Sequence, residues 1–333
     1  MPMIDIVRYT PSRQHEWNTF VAEAINATFL FRRQYMDYHA QRFADHSLMA
    51  YDKGRLLALL PAHEDGERLC SHNGLTFGGL LTAARTTTAE VMEAFTQIAA
   101  YMASHGFTTL VYKPAPTIYQ QLPAQADLYA LSQIGTLHLT ARDAGSAIDL
   151  ANPIGFSTLR RRKVAKAIRN GLRCDESRDL EAFWHILEHN LAQRFGAKPV
   201  HSLDEMRLLS SRFPNEIRLM ATFRGCEMVA GVLLYHTQQV VRTQYISASP
   251  EGKATGALDL LFHHLTTELP LSQRYLDLGT SALAGSHAVN PGLLFQKEGF
   301  GARTVCFDKY EWQPTGLSSH EPVNSKPINQ LEK

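Results

Sequence analysis

The chain has 333 residues, of which 44% are hydrophobic and 20% charged, the balance of a globular protein with length for two domains at roughly 100–200 residues each. Its formal net charge of +1 gives no global attraction to nucleic acid or to an anionic membrane, so any such contact must come from a local patch. The four cysteines, Cys70, Cys174, Cys226 and Cys306, form no CxxC pair and no metal-like cluster, which argues against a disulfide framework or a zinc site and for a reducing compartment.

From the start of the chain, "MPMIDIVRYTPSRQHEW" has no apolar signal-peptide core, and no run nears the ~18 apolar residues of a membrane span. A cytoplasmic protein without a membrane span is expected. Helical spacing of Trp17, Phe20, Val21 and Ala24 predicts a first helix over 11–25, with Ser12 as its cap. "SLMAYD" and "RLLALLPAH" read as strands around an Asp52-Lys53-Gly54 turn. A helix follows over 86–106, closed by Gly106. Then come a buried strand "TTLVYKP", a helix near 127–135 and two extended pieces up to Leu150.

The second half repeats this order. Helices are predicted over 179–195 and 203–213, and strands over 217–223 and 227–236 around Arg224-Gly225. "VVRTQYISA" is a third strand, and a glycine loop "SPEGKATG" (249–256) leads into the helix "ALDLLFHHLTTEL". The strand "RYLDLGT", a short helix "NPGLLFQKEGF" and the strand "ARTVCFDKYEW" complete the half. Matching element order and turn positions imply a tandem duplication of one mixed α/β unit. The expected division is a first domain over 1–150, a basic connecting helix within 151–178, a second domain over 179–312 and a disordered tail over 313–333. In the connecting helix, Val164, Ile168 and Leu172 form one face and Arg162, Lys166, Arg169 and Arg173 another. That helix is either a solvated bridge or an anion patch for a phosphate or a nucleic acid.

The order hairpin, third strand, glycine loop, helix, strand and short helix ending in "KEGF" resembles the acyltransferase unit of the GNAT superfamily. Lys253-Ala254-Thr255-Gly256-Ala257-Leu258 is similar to that superfamily's Arg/Gln-x-x-Gly-x-Gly/Ala loop, keeping its middle glycine and losing the last. "LLFQKEGF" is similar to its helix-to-strand segment, with Phe295 where a tyrosine is usual; a phenyl ring has no proton to donate. Two such units joined by a basic helix resemble the FemAB-like branch. The resemblance implies a mixed α/β fold of two tandem GNAT-like domains, each a mostly antiparallel sheet flanked by helices. One line of the branch uses acyl-CoA to acylate the amine of a nucleotide-linked amino sugar, such as a dTDP-3-amino-3,6-dideoxyhexose. The other takes amino acids from aminoacyl-tRNA to peptidoglycan precursors. Residues 179–214 hold two ordinary helices and no sustained heptads, which favours acyl-CoA and a nucleotide sugar over tRNA.

The resemblance implies that coenzyme A contacts Tyr245, Ser247, Gly252, Lys253, Gly256, Ser281, Asn290 and Lys297. The pyrophosphate would rest on the glycine-loop amides at the start of the following helix. For the base, His201 in "KPVHS" and Asp277 in "YLDLGTS" are candidates; a surface histidine and a structural acceptor are the plain alternatives. The acceptor is assigned to His72, Asn73, Lys113, Tyr119, Asn190, Arg194 and Gln244. His72 and Asn73 lie in the glycine-rich "SHNGLTFGG", which is otherwise a turn after a hairpin. Lys113 can neutralise a diphosphate and Tyr119 can stack on a nucleobase, unless "VYKPAPTIYQ" is only a proline-stiffened loop. His185 and His189 lack the glutamate of HExxH, and no metal is expected.

Overall fold

Capping and turn chemistry set most of the element borders. The computed structural model describes residues 4–268, 272–283 and 286–315. β1 (Ile4–Arg8) leads into α1 (Gln14–Glu23), which buries Trp17, Phe20 and Val21. Ser12 does not cap it: the N-cap is Arg13, and the Ser12 hydroxyl pairs with that of Thr10 at 2.9 Å. After α2 (Arg33–Met36), β2 (Leu48–Asp52) and β3 (Arg55–Leu60) form the predicted hairpin. Lys53 and Gly54 turn it with φ of 48° and 82°, the two-residue geometry that matches strand twist. β4 (His63–Asp65), β5 (Arg68–Cys70) and β6 (Leu81–Thr82) are short. α3 (Thr88–Ser104) starts at a capping box of Thr87 and Glu90. β7 (Thr109–Tyr112) and α4 (Ala126–Ile134) follow.

The two extended pieces expected before Leu150 are one strand, β8 (Gly135–Asp149). α5 (Thr158–Arg169) is the basic helix and leads to β9 (Leu172–Ser177). α6 (Leu180–Phe195), α7 (Leu203–Arg212), β10 (Ile217–Arg224), β11 (Glu227–His236) and β12 (Val240–Ala248) fall where the sequence pattern puts them. The expected glycine loop is instead a short helix, α8 (Pro250–Thr255), ahead of α9 (Ala257–His263). β13 (Tyr275–Thr280), α10 (Pro291–Gly299) and β14 (Arg303–Pro314) complete the described chain. Gln313 and Pro314, expected to open the disordered tail, instead end β14 paired with β8, and from residue 316 the expected tail lies outside the described residues.

The fold is mixed α/β, with mostly antiparallel sheets flanked by helices. One sheet has four strands in the order β1-β2-β3-β6; the other has ten, β4-β5-β7-β14-β8-β13-β12-β11-β10-β9. Its parallel pairs are β5 with β7 and β12 with β13, one in each half. The halves share this larger sheet. β14 pairs antiparallel with β8 from Arg303 opposite Ala147 to Pro314 opposite Gly135, and its end pairs with β7 on the other side.

The halves also share a core. Phe29 and Tyr35 of the first half pack with Phe213 and Tyr235 of the second, with Phe29 ring centroids 5.3 Å from each of the latter two. α5 packs through Arg160, Val164 and Ala167, so of the predicted apolar face Val164 is buried and Ile168 is not. Arg160 makes a buried 2.9 Å ion pair with Asp259 of α9, Ile168 turns to solvent, and Leu172 belongs to β9. A buried charge must keep its partner, so this pair selects the face of α5 that goes inward.

Because the halves share a sheet and a core, urea unfolding followed by fluorescence and by circular dichroism should show one transition. Phe29→Ala should destabilise the whole chain by about 3–5 kcal/mol, seen as a lower midpoint for both probes.

Candidate active site

β12 and β13 run side by side for three residue pairs, Val240 with Tyr275, Val241 with Leu276 and Arg242 with Asp277, and then part. Each strand carries an irregularity just beyond that point. On β12, Tyr245 faces Leu233 and Thr243 faces Leu234, so Gln244 is the extra residue of a bulge. On β13, Gly279 takes φ of 72°, and the register with β8 shifts between Asp277 and Thr280. Bulges bend a strand and raise its twist, and these two open a wedge.

Asp277 sits at the vertex and is fully buried. One carboxylate oxygen accepts from Tyr119 Oη at 2.5 Å and from Arg242 Nη1 at 2.6 Å; the other accepts from the Gly279 amide at 2.7 Å. Tyr119 is 2% exposed, and burial followed by the Asp277 charge keeps its phenol protonated. These positions correct two expectations. Asp277 is closed off from solvent and committed to three hydrogen bonds, which removes it from the reach of an incoming amine, and Tyr119 has no face open to a nucleobase.

Inside the wedge is a cavity of about 200 Å³. Leu187 and Leu191 of α6, Ile246 of β12, Leu278 of β13 and Leu293 of α10 give it apolar walls. Four of the predicted residues meet there: Asn190, Ser247, Lys253 and Lys297. The Asn190 amide donates to Ser247 Oγ at 2.7 Å and to the Ala248 carbonyl at 2.8 Å, and its oxygen accepts from the Lys253 ammonium. Lys297 is 5% exposed. Its ammonium donates to the Gly279 and Thr280 carbonyls at 2.9 and 2.7 Å, on the strand that β12 has left. Two of its three hydrogens are thereby used, leaving one for a group in the cavity. Burial lowers its pKa to about 8, with Asp277 opposing the shift and Arg242 adding to it.

The other coenzyme A candidates have structural positions. In α8 the Gly252 amide is held by the Ser249 hydroxyl at 3.1 Å, and the amides of Lys253 and Gly256 by the carbonyls of Ser249 and Gly252. They are not free to cradle a pyrophosphate, which corrects that expectation. Both glycines permit close packing: an added Cβ would lie 2.1 Å from the Val229 carbonyl oxygen at Gly252, and 2.8 Å from that of Lys163 at Gly256. Ser281 is fully buried, and Asn290 caps α10 by accepting from the Leu293 amide. Phe295 is 65% exposed and does not line the cavity.

Tyr245 and His201 meet each other, outside the cavity lining. Tyr245 Oη accepts from the His201 backbone amide at 3.2 Å and lies 2.6 Å from His201 Nδ1. With the phenol pKa pushed up to about 12 by burial, its proton points to Nδ1, so the ring proton is assigned to Nε2. Burial lowers the imidazole to about 4. The lone pair a base would use is taken, which corrects the reading of His201. His72 is buried against His39 and His63, and Asn73 is exposed beside it. Lys113 donates to the Leu75 carbonyl at 3.2 Å. None of these three lines the cavity, and the Arg194 side chain lies outside the described residues. Arg242, the charged partner of Asp277, went unread, although it is the one charge in the strand "VVRTQYISA". The apolar lining residues carry no signal that separates them from ordinary core.

Residues 158–284 match the family described as Acetyltransferase (GNAT) domain. Over nearly the whole chain the structure is similar to FemX, with a TM-score of 0.67 at 9% identity, covering 93% of this chain and 97% of that one. It is similar to L-PGS from Bacillus licheniformis, with a TM-score of 0.57 at 13% identity, covering 93% and 94%. It is also similar to a tandem GNAT protein from the clavulanic acid biosynthesis pathway, with a TM-score of 0.51 at 12% identity, covering 95% and 100%. At these identities the likeness is one of fold. No curated protein matches the chain in sequence. The fold is thus a GNAT-type acyltransferase fold in a tandem-like arrangement, as the resemblance implied.

Asp277→Ala should leave Arg242 buried without its counter-charge and cost about 3–5 kcal/mol. A large drop in the thermal midpoint is expected; an unchanged midpoint would mean that the carboxylate does not hold the vertex.

Proposed function

We propose that the protein is an N-acyltransferase that carries an acyl group from coenzyme A to the amine of a nucleotide-linked amino sugar, such as a dTDP-3-amino-3,6-dideoxyhexose. The observation that carries the acyl-transfer reading is the wedge between β12 and β13 with the Lys297 ammonium buried in its wall. Beyond Arg242 no residue of β12 pairs with β13. That edge suits the extended amide chain of a pantetheine arm, and the apolar walls suit a short aliphatic acyl group. Lys253, held by Asn190, is exposed at the same cavity and suits a donor phosphate. The nucleotide-sugar acceptor rests on the family resemblance.

When the amine adds to the acyl carbonyl, a C–N bond forms and negative charge grows on the oxygen. Lys297 offers the remaining hydrogen of its ammonium to that oxygen from a site already dry and fixed, where such a contact is strongest. The C–S bond then breaks and the thiolate leaves. Neither Asp277 nor His201 lines the cavity, and the His201 Nδ1 lone pair is held by Tyr245, so the amine proton passes to the departing thiolate or to water. Positioning of the two reactants supplies the rest.

One observation favours a second reading, transfer from aminoacyl-tRNA to a peptidoglycan precursor. Residues 249–256 form a capped helix with its glycine amides engaged, not an open pyrophosphate loop. The deciding experiment supplies a panel of acyl-CoAs with several amino-sugar nucleotides and measures free thiol, alongside aminoacyl-tRNA with and without RNase. Thiol release that needs both substrates is expected. RNase-sensitive transfer with no thiol release from any pair would establish the second reading.

Lys297→Met should lower kcat about 10²- to 10³-fold, with a much smaller change in donor KM. Because the ammonium is lost as pH rises through about 8, the wild-type rate should fall on that limb and the variant should lack the fall. A variant within a few-fold of wild type would remove Lys297 from the chemistry.

A further inference from the structure

We infer that the surface formed by residues 150–157 and α5 docks on an anionic lipid membrane. A groove of about 500 Å³ runs between this segment, the end of β8 and the end of α9. Its edge is apolar and open to solvent: Ile154 is 61% exposed and Ile168 58%. Leu159, in the first turn of α5, is also exposed. Isolated surface aliphatics need no explanation, but here they share one short stretch with a dense run of positive charge.

No acidic residue occurs between Asp149 and Asp175, while Arg160, Arg161, Arg162, Lys163, Lys166, Arg169 and Arg173 do. Arg160 is neutralised inside by Asp259, and Arg173 lies 3.4 Å from Asp175. Among the described residues Arg162, Lys163 and Arg169 have no ion pair, and Arg162 and Arg169 are exposed. An exposed helix with aliphatic side chains beside uncompensated basic ones has the chemistry of an interfacial helix. Its apolar side chains enter the acyl boundary while its charges meet anionic headgroups. RNA would use the charge alike but has no use for open isoleucines. Among the described residues no helix is long and apolar enough to cross a membrane, so the contact is peripheral. The inference does not depend on which acyl donor the protein uses.

The test is flotation of the full chain with vesicles of phosphatidylcholine alone and of phosphatidylcholine mixed with equal phosphatidylglycerol. The protein should float with the anionic vesicles and not with the neutral ones. Arg162→Glu with Arg169→Glu, and separately Ile154→Ser with Ile168→Ser, should each reduce flotation about tenfold or more. All four side chains are exposed, and matching thermal midpoints check that the variants fold. Failure of the wild type to float with anionic vesicles overturns the inference. So does flotation that the isoleucine pair leaves unchanged; retention of an RNA oligonucleotide by that same pair would identify a polyanion site instead.

Discussion

The carboxylate of Asp277 takes hydrogen bonds from Tyr119, Arg242 and the Gly279 amide at the last point where β12 and β13 run together. Tyr119 comes from the first half of the chain and Arg242 from the neighbouring strand. One buried anion therefore ties the halves together and fixes where the strands part. Replacing a buried ion pair with apolar residues is often neutral in stability. What this pair supplies is a position: charges and donors that must stay matched set the vertex of the wedge, and the Gln244 bulge and the turned Gly279 open it.

The wedge breaks strand pairing, and backbone groups inside a protein need partners. Lys297 supplies hydrogen bonds to the Gly279 and Thr280 carbonyls. It reaches them only by being buried, which holds its pKa near 8 and leaves the ammonium poorly solvated. A dry ammonium with one hydrogen to give is also a strong partner for a carbonyl gaining negative charge. The local break in the sheet thus creates both the cavity and the group that can act in it.

Local chemistry was easy to read. The Lys53-Gly54 turn, the start of α3 and the helices α6 and α7 announce themselves through positive-φ residues, caps and helical spacing. Asn190, Ser247, Lys253 and Lys297 were reached through the family pattern, and they meet at one cavity. Pairings made by distant segments were hidden. Nothing in "VYKPAPTIYQ" says that its second tyrosine, Tyr119, meets an aspartate 158 positions later. Nothing in β14 says that it closes onto β8. The helix α8 was legible but outweighed by its glycines. Ser249 followed by Pro250 is a cap and a first-turn proline, a usual helix start. In α5 apolar spacing put Ile168 inward beside Val164, whereas the buried Arg160–Asp259 pair turns the helix so that Arg160 and Ala167 go in with Val164 and Ile168 goes out. The net charge of +1 likewise conceals a strongly basic stretch, because acidic residues elsewhere balance it.

The central claim is that the wedge seats the acyl group with its carbonyl at Lys297. A crystal structure with a non-reactive ketone analogue of an acyl-CoA, with a methylene in place of the thioester sulfur, tests it most directly. The pantetheine arm is predicted to lie between β12 and β13, with the acyl carbonyl oxygen about 3 Å from Lys297 Nζ. An analogue bound elsewhere, with the wedge still closed around Lys297, would contradict the account.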